Sequence, residues 1–157
     1  VNSGLTYGAG SRFNNLKNGG SFLISTFTDS KTTEPAIDKA LEVLKNLHAK
    51  GIDEKALASA KNYVKGQFPP DYETTEQLAG LLSQMFWYNL DKSFIDNFEK
   101  NVDSLDLAKA NQIIAKYFPK DKLQFVIIGK SEEIKKIAEK YGKVTEVEIS
   151  DDIKKMK

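Results

Sequence analysis

From Pro35 to Phe118, and again over Glu132–Tyr141, the apolar residues recur at three- and four-residue steps, and elsewhere they do not. This switch of period limits the fold more than any other feature, because a helix buries residues 3.6 apart and a strand buries alternate ones. Before the switch, Leu5–Phe13 and Ser21–Thr28 are β-prone and flank the polar turn 14–20, which predicts an antiparallel pair. After it, Leu123–Gly129 reads as a buried strand by its β-branched and aromatic content, and Lys143–Ile149 alternates like an edge strand. Strands at both ends with helices between them predict an α+β fold: a two-layer sandwich, its antiparallel or mixed sheet covered by helices on one face. Residues 1–149 are expected to form a single domain, with 150–157 a charged tail.

The helical stretch is punctuated by caps. Pro35–Lys50 carries Ile37, Leu41, Leu44 and either Leu47 or His48 on one face, with Gly51 as C-terminal cap. Asp53 caps a second helix bearing Leu57, Ala60, Val64 and Phe68, which Pro69-Pro70 stops. Thr74 and Gln77 have the spacing of a capping box, ahead of Leu78, Leu81, Leu82, Met85 and Phe86. A short helix is expected over Phe94–Val102. Another, capped by Asp106, runs to Phe118 with Ala110, Ile113 and Ile114 inward. Ser131 caps the last, Glu132–Tyr141, with Ile134, Ile137 and Ala138 inward.

Composition removes several classes of function. The 23 basic and 22 acidic residues are spread along the chain, so there is no basic stripe for a phosphate backbone, and nucleic acid is not an expected partner. No charged-then-apolar leader and no apolar run near 18 residues is present, so neither a signal peptide nor a membrane span is read. The chain opens at Val1 without a Met and soon enters strand-like sequence, which points to a piece of a longer protein. There is no cysteine and one histidine, His48. Protein zinc sites usually need at least two His or Cys ligands, so no metal site is expected on this chain. His48, in Leu47-His48-Ala49-Lys50-Gly51, is expected to meet helix C-terminal carbonyls or water.

Other motifs read as structural. Gly8-Ala9-Gly10 is a GxG without the following helix or third glycine of a dinucleotide loop; inside a strand it predicts a bulge or a close backbone approach. The pairs Asp71 with Glu73, Glu132 with Glu133 and Asp151 with Asp152 fall near helix starts or in the tail, where carboxylates complement the helix dipole or solubilise. Phe86-Trp87-Tyr88 ends a helix beside a loop and covers the core's edge or lines an interface.

The segment Gly4-Leu5-Thr6-Tyr7-Gly8 carries more. With Phe22–Thr28, Ala36-Ile37, Ala40-Leu41-Glu42, Leu44, Leu47 and Gly51-Ile52, it resembles the second half of pitrilysin/insulinase-type (inverzincin) zinc peptidases. The match continues through Ala60-Lys61 and Gly66, Glu73-Thr74, Leu78-Ala79, Leu105-Asp106, Ala108-Lys109-Ala110 and Phe125–Gly129. It implies an α+β half-unit that clasps a substrate chamber with its neighbour. Zinc is expected on the partner half through HxxEH, a motif this chain lacks, and no cofactor is expected here. The resemblance further implies a zinc-binding N-terminal half, on the same or a separate chain, and a peptide substrate as partners. It favours the bacterial envelope over the cytoplasm.

By the same resemblance Tyr7 is the catalytic and substrate-binding residue, a phenol donor to the substrate carbonyl. The paired arginine falls just before Val1, and Arg12 lies on the wrong side to replace it. The competing reading of Tyr7 is a strand tyrosine packed in the core. The functional alternatives are a non-catalytic structural or assembly relative of the family, and a peptide-binding module that adds ligand strands to a sheet edge.

Overall fold

The computed structural model describes residues 4–68 and 72–148. Strands β1 (Ala9–Leu16) and β2 (Gly19–Thr26) lead into a short 3₁₀ turn and α1 (Thr33–Lys50). Helices α2 (Glu54–Gln67), α3 (Thr75–Tyr88), α4 (Ser93–Asp96), α5 (Phe98–Asp103), α6 (Leu107–Tyr117) and α7 (Ser131–Ala138) follow. The class is α+β, with seven helices and a two-stranded antiparallel sheet among the described residues. By contacts the chain forms two compact units. One comprises Val1–Gly10, Ile24–Leu41 and Asp121–Lys157, the other Ser11–Leu23 and Glu42–Lys120.

Within the second unit, Lys17-Asn18 turns the hairpin tightly. A Cβ at Gly20 would come 2.7 Å from the Asn14 carbonyl oxygen, so only glycine lets the strands close there. Phe13 and Phe22 meet across the hairpin and both meet Phe118, with ring centroids 4.9–5.1 Å apart. The capping signals hold. Asp53 accepts from the Ala56 N–H, Asp106 accepts from the Lys109 N–H, and Thr74 with Gln77 forms the reciprocal capping box. Leu44, Leu57, Leu81, Met85, Ala110 and Ile114 are buried here, and Ala36 is buried in the other unit.

Several expectations need correction. Ala60 and Val64 are exposed, and Lys61 and Lys65 take the covered side of α2, bonding the Asp103 carbonyl and carboxylate. Aliphatic lysine stems can cover apolar surface while the ammonium finds an acceptor, which residue type alone does not reveal. Phe94–Val102 is two short helices with a break at Asn97 (φ −102°, ψ 11°). Ser131 does not cap α7; its hydroxyl bonds the Glu146 carboxylate instead. That bond, with Lys135 beside it, holds the Glu146 carboxyl below its ordinary range.

Leu123–Gly129 forms no regular element and belongs to no ladder among the described residues. Alternation survives: Leu123 and Ile127 are half-buried, whereas Val126 (87%) and Ile128 (79%) face out. β-Branched content favours an extended backbone, but a strand also requires a hydrogen-bonded neighbour. Lys143–Glu148 is likewise irregular. Pro69-Pro70, Asp71, Ile149 and the tail 150–157 lie outside the described residues.

Candidate functional site

Leu5–Gly8 was the start of an expected strand, but β1 begins only at Ala9. Gly4, at φ +68°, turns the chain into this segment. The Gly8 N–H then donates to the Thr6 hydroxyl oxygen at 3.1 Å, closing a local turn whose tip is Tyr7. Thr6 Oγ1 lies 2.6 Å from the Phe27 carbonyl oxygen, and Thr26 Oγ1 lies 2.9 Å from the Gly8 carbonyl oxygen. One proton per hydroxyl serves both contacts: Thr6 donates to Phe27, and Thr26 donates to Gly8. The two hydroxyl oxygens are themselves 2.7 Å apart. Thr28 donates to the Leu5 carbonyl at 2.7 Å and sits 2.5 Å from the Thr32 hydroxyl. Backbone on both sides of Tyr7 is therefore tied to the end of β2 and the residues after it.

Tyr7 itself is fully exposed (102%). The reading of a strand tyrosine packed in the core does not fit this placement. Tyr141 shows the contrasting type within the same unit. It is half-buried, its hydroxyl donates to the Asp38 carboxylate at 2.8 Å, and burial followed by that bond pushes its phenol up to about 12.

The other candidates sit in structural roles. His48 Nε2 is 3.3 Å from the Pro119 carbonyl oxygen, which can only accept, so Nε2 is the donor. Nδ1 is buried and meets no hydrogen-bond partner among the described residues. His48 lines a shallow cleft with Leu47, Lys50, Gly51, Asn111, Ile114 and Ala115. Arg12 Nε donates to Asn14 Oδ1 at 3.2 Å. A Cβ at Gly8 or Gly10 would meet nothing within 4 Å, so the close approach expected there is not found among the described residues. Of the aromatic group, Phe86 and Trp87 are exposed, while the Tyr88 hydroxyl donates to the Asn15 carbonyl at 2.8 Å. No group of three His, Cys, Asp or Glu side chains converges among the described residues.

Thr6, Thr26 and Thr28 are the residues that sequence reasoning missed as a group. Their β-branched type fits a strand equally well, and nothing in the spacing shows hydroxyls meeting carbonyls some twenty residues away.

Residues 1–64 match the family model of the peptidase M16 inactive domain. A solved structure of a peptidase M16 inactive domain from Pseudomonas fluorescens matches with a TM-score of 0.68 and 26% identity over 76% of this chain. The chain covers 28% of that structure's length. No curated protein matches. Over its first 64 residues in sequence, and over 76% of its length in fold, this chain is similar to peptidase M16 inactive domains, the resemblance that Gly4-Leu5-Thr6-Tyr7 led us to expect.

Proposed function

We propose that this chain is the partner half of a zinc peptidase acting on peptides or unfolded proteins, that it closes the substrate chamber, and that Tyr7 supplies a hydrogen-bond donor to the substrate carbonyl. Zinc belongs on the other half in this reading. The observation that carries the proposal is the placement of Tyr7: a fully exposed phenol at the tip of a turn whose backbone is fastened on both sides.

When a peptide bond is attacked, negative charge builds on its carbonyl oxygen. A donor held at that oxygen stabilises the charge where it develops, and a pre-positioned donor avoids reorganisation at that moment. A phenol can serve from a facing surface because it projects its hydroxyl beyond a rigid ring. The loss of one such donor costs about 3 kcal/mol of transition-state stabilisation. Tyr7 therefore needs no neighbouring acid or base on its own surface; its requirement is direction.

The test is reconstitution with a zinc-binding half and an unstructured peptide, comparing native protein with Tyr7→Phe. Cleavage that drops on the order of a hundredfold with Phe supports the proposal. Cleavage indifferent to Phe keeps the partnership and removes Tyr7 from the chemistry. Association of the halves without cleavage moves the reading to a non-catalytic relative.

A further inference from the structure

We infer that Thr6 and Thr26 are positioning residues for Tyr7, acting through their hydroxyls to fix the direction in which the phenol projects. The inference rests on the donor reading of Tyr7 and goes beyond it, because it assigns the geometry to two side chains that touch no substrate.

Tyr7 is fully exposed, so packing does not orient it; its direction is inherited from its own backbone. Both polar groups of Gly8 are held by hydroxyls, its N–H by Thr6 and its carbonyl by Thr26. Thr6 is held in turn by the Phe27 carbonyl at 2.6 Å. The residues before and after Tyr7 are thus bonded to one another and to the chain at 26–27. Thr28 adds a tie to the Leu5 carbonyl. An isolated loop with a glycine on each side, Gly4 and Gly8, has wide conformational freedom, and these bonds remove it. Catalysis by a donor is sensitive to placement, and an error near 1 Å can cost about a hundredfold.

Valine keeps the shape of threonine and deletes its hydroxyl, so Thr6→Val opens the clamp with little change in volume. Serine keeps the hydroxyl and is the conservative control. The experiment uses the assembled peptidase, this chain with a zinc-binding half, carrying fluorotyrosine at position 7. Thr6→Val is expected to narrow the position-7 fluorine line as the ring gains motion. In unlabelled protein it should lower kcat about tenfold with KM unchanged, and Thr6→Ser should restore both readouts. Thr26→Val should behave like Thr6→Val. The Thr6→Val/Tyr7→Phe double variant should be no slower than Tyr7→Phe alone, because the clamp acts only through the phenol.

An unchanged fluorine line in both valine variants overturns the inference, whatever the kinetics. So does a double variant whose losses multiply, or a kcat that ignores Thr6→Val while Tyr7→Phe lowers it. If instead Tyr7→Phe has no effect while Thr6→Val still mobilises the ring, the donor reading fails, and the clamp is a local structural device without a catalytic role. The line shape tests the clamp and the Phe variant tests the donor, so the two failures are separable.

Discussion

The hydroxyl of Tyr141 donates to the carboxylate of Asp38 at 2.8 Å, joining the turn after α7 to the first half of α1. Lys140 reaches Glu34 at 2.5 Å from the same turn, and the Phe125 ring lies 5.4 Å from that of Tyr141. Residues more than a hundred positions apart are thereby connected within one compact unit.

This contact gives a pH signature. Burial first, then the Asp38 bond, raises the phenol to about 12. A group whose folded value is raised contributes stability that is fully present below its unfolded value, about 10, and lost as pH rises through the folded value. Tyr141→Phe is expected to cost about 1 kcal/mol near neutral pH, since Asp38 is exposed and regains water. The stability difference between native and Phe proteins should shrink as pH climbs from about 10 to about 12. Denaturant midpoints taken across that range check it; a flat difference contradicts it.

Gly51 offers a steric test. Its φ is +66°, and a Cβ there would lie 2.2 Å from Asn111 Oδ1, the atom that accepts the Ile52 N–H at 3.1 Å. Gly51→Ala is expected to cost about 2 kcal/mol, from backbone strain and displacement of that amide together. Combining it with Asn111→Ala should cost less than the sum of the two, and a double-mutant cycle by urea unfolding reads the difference.

Adjacent leucines on α3 should behave oppositely. Leu81 is 4% exposed and Leu82 is 62% exposed. Leu81→Ala is expected to destabilise by about 2–5 kcal/mol and Leu82→Ala by about 0.5 kcal/mol or less. Equal losses would place α3 in a different rotation about its axis.

The capping box can be read by chemistry that spares the core. Thr74→Ala removes the acceptor for the Gln77 N–H at 3.2 Å and is expected to cost about 1 kcal/mol, whereas Thr74→Ser should cost much less. Thermal unfolding of the two variants compares them directly.

Local rules carried much of the fold. Asp53, Thr74, Asp106 and Gly51 act as their positions demand, because a cap depends on neighbours within one turn. The hairpin also forms, although its strands start and end elsewhere: Ala9–Leu16 and Gly19–Thr26. What the sequence hides is partnership at a distance. Leu123–Gly129 has strand composition but no ladder among the described residues, and Ser131 prefers Glu146 to its own helix. Lys61 and Lys65 displace the expected apolar face of α2 by reaching Asp103. At the candidate site, Tyr7 stood out through a recognisable motif, whereas the role of the threonines around it became visible only in the folded arrangement.

Trp87 is the sole tryptophan in the chain, and the Lys17 ammonium at the hairpin tip lies 4.9 Å from its ring. Indole emission responds to a nearby cation and to water, so this one fluorophore reports whether the hairpin end still rests on α3. The molecule thereby carries a built-in optical probe of that junction, and Lys17→Met sets its zero. A spectral shift on adding a partner, absent in Lys17→Met, would time the movement of the hairpin without any label.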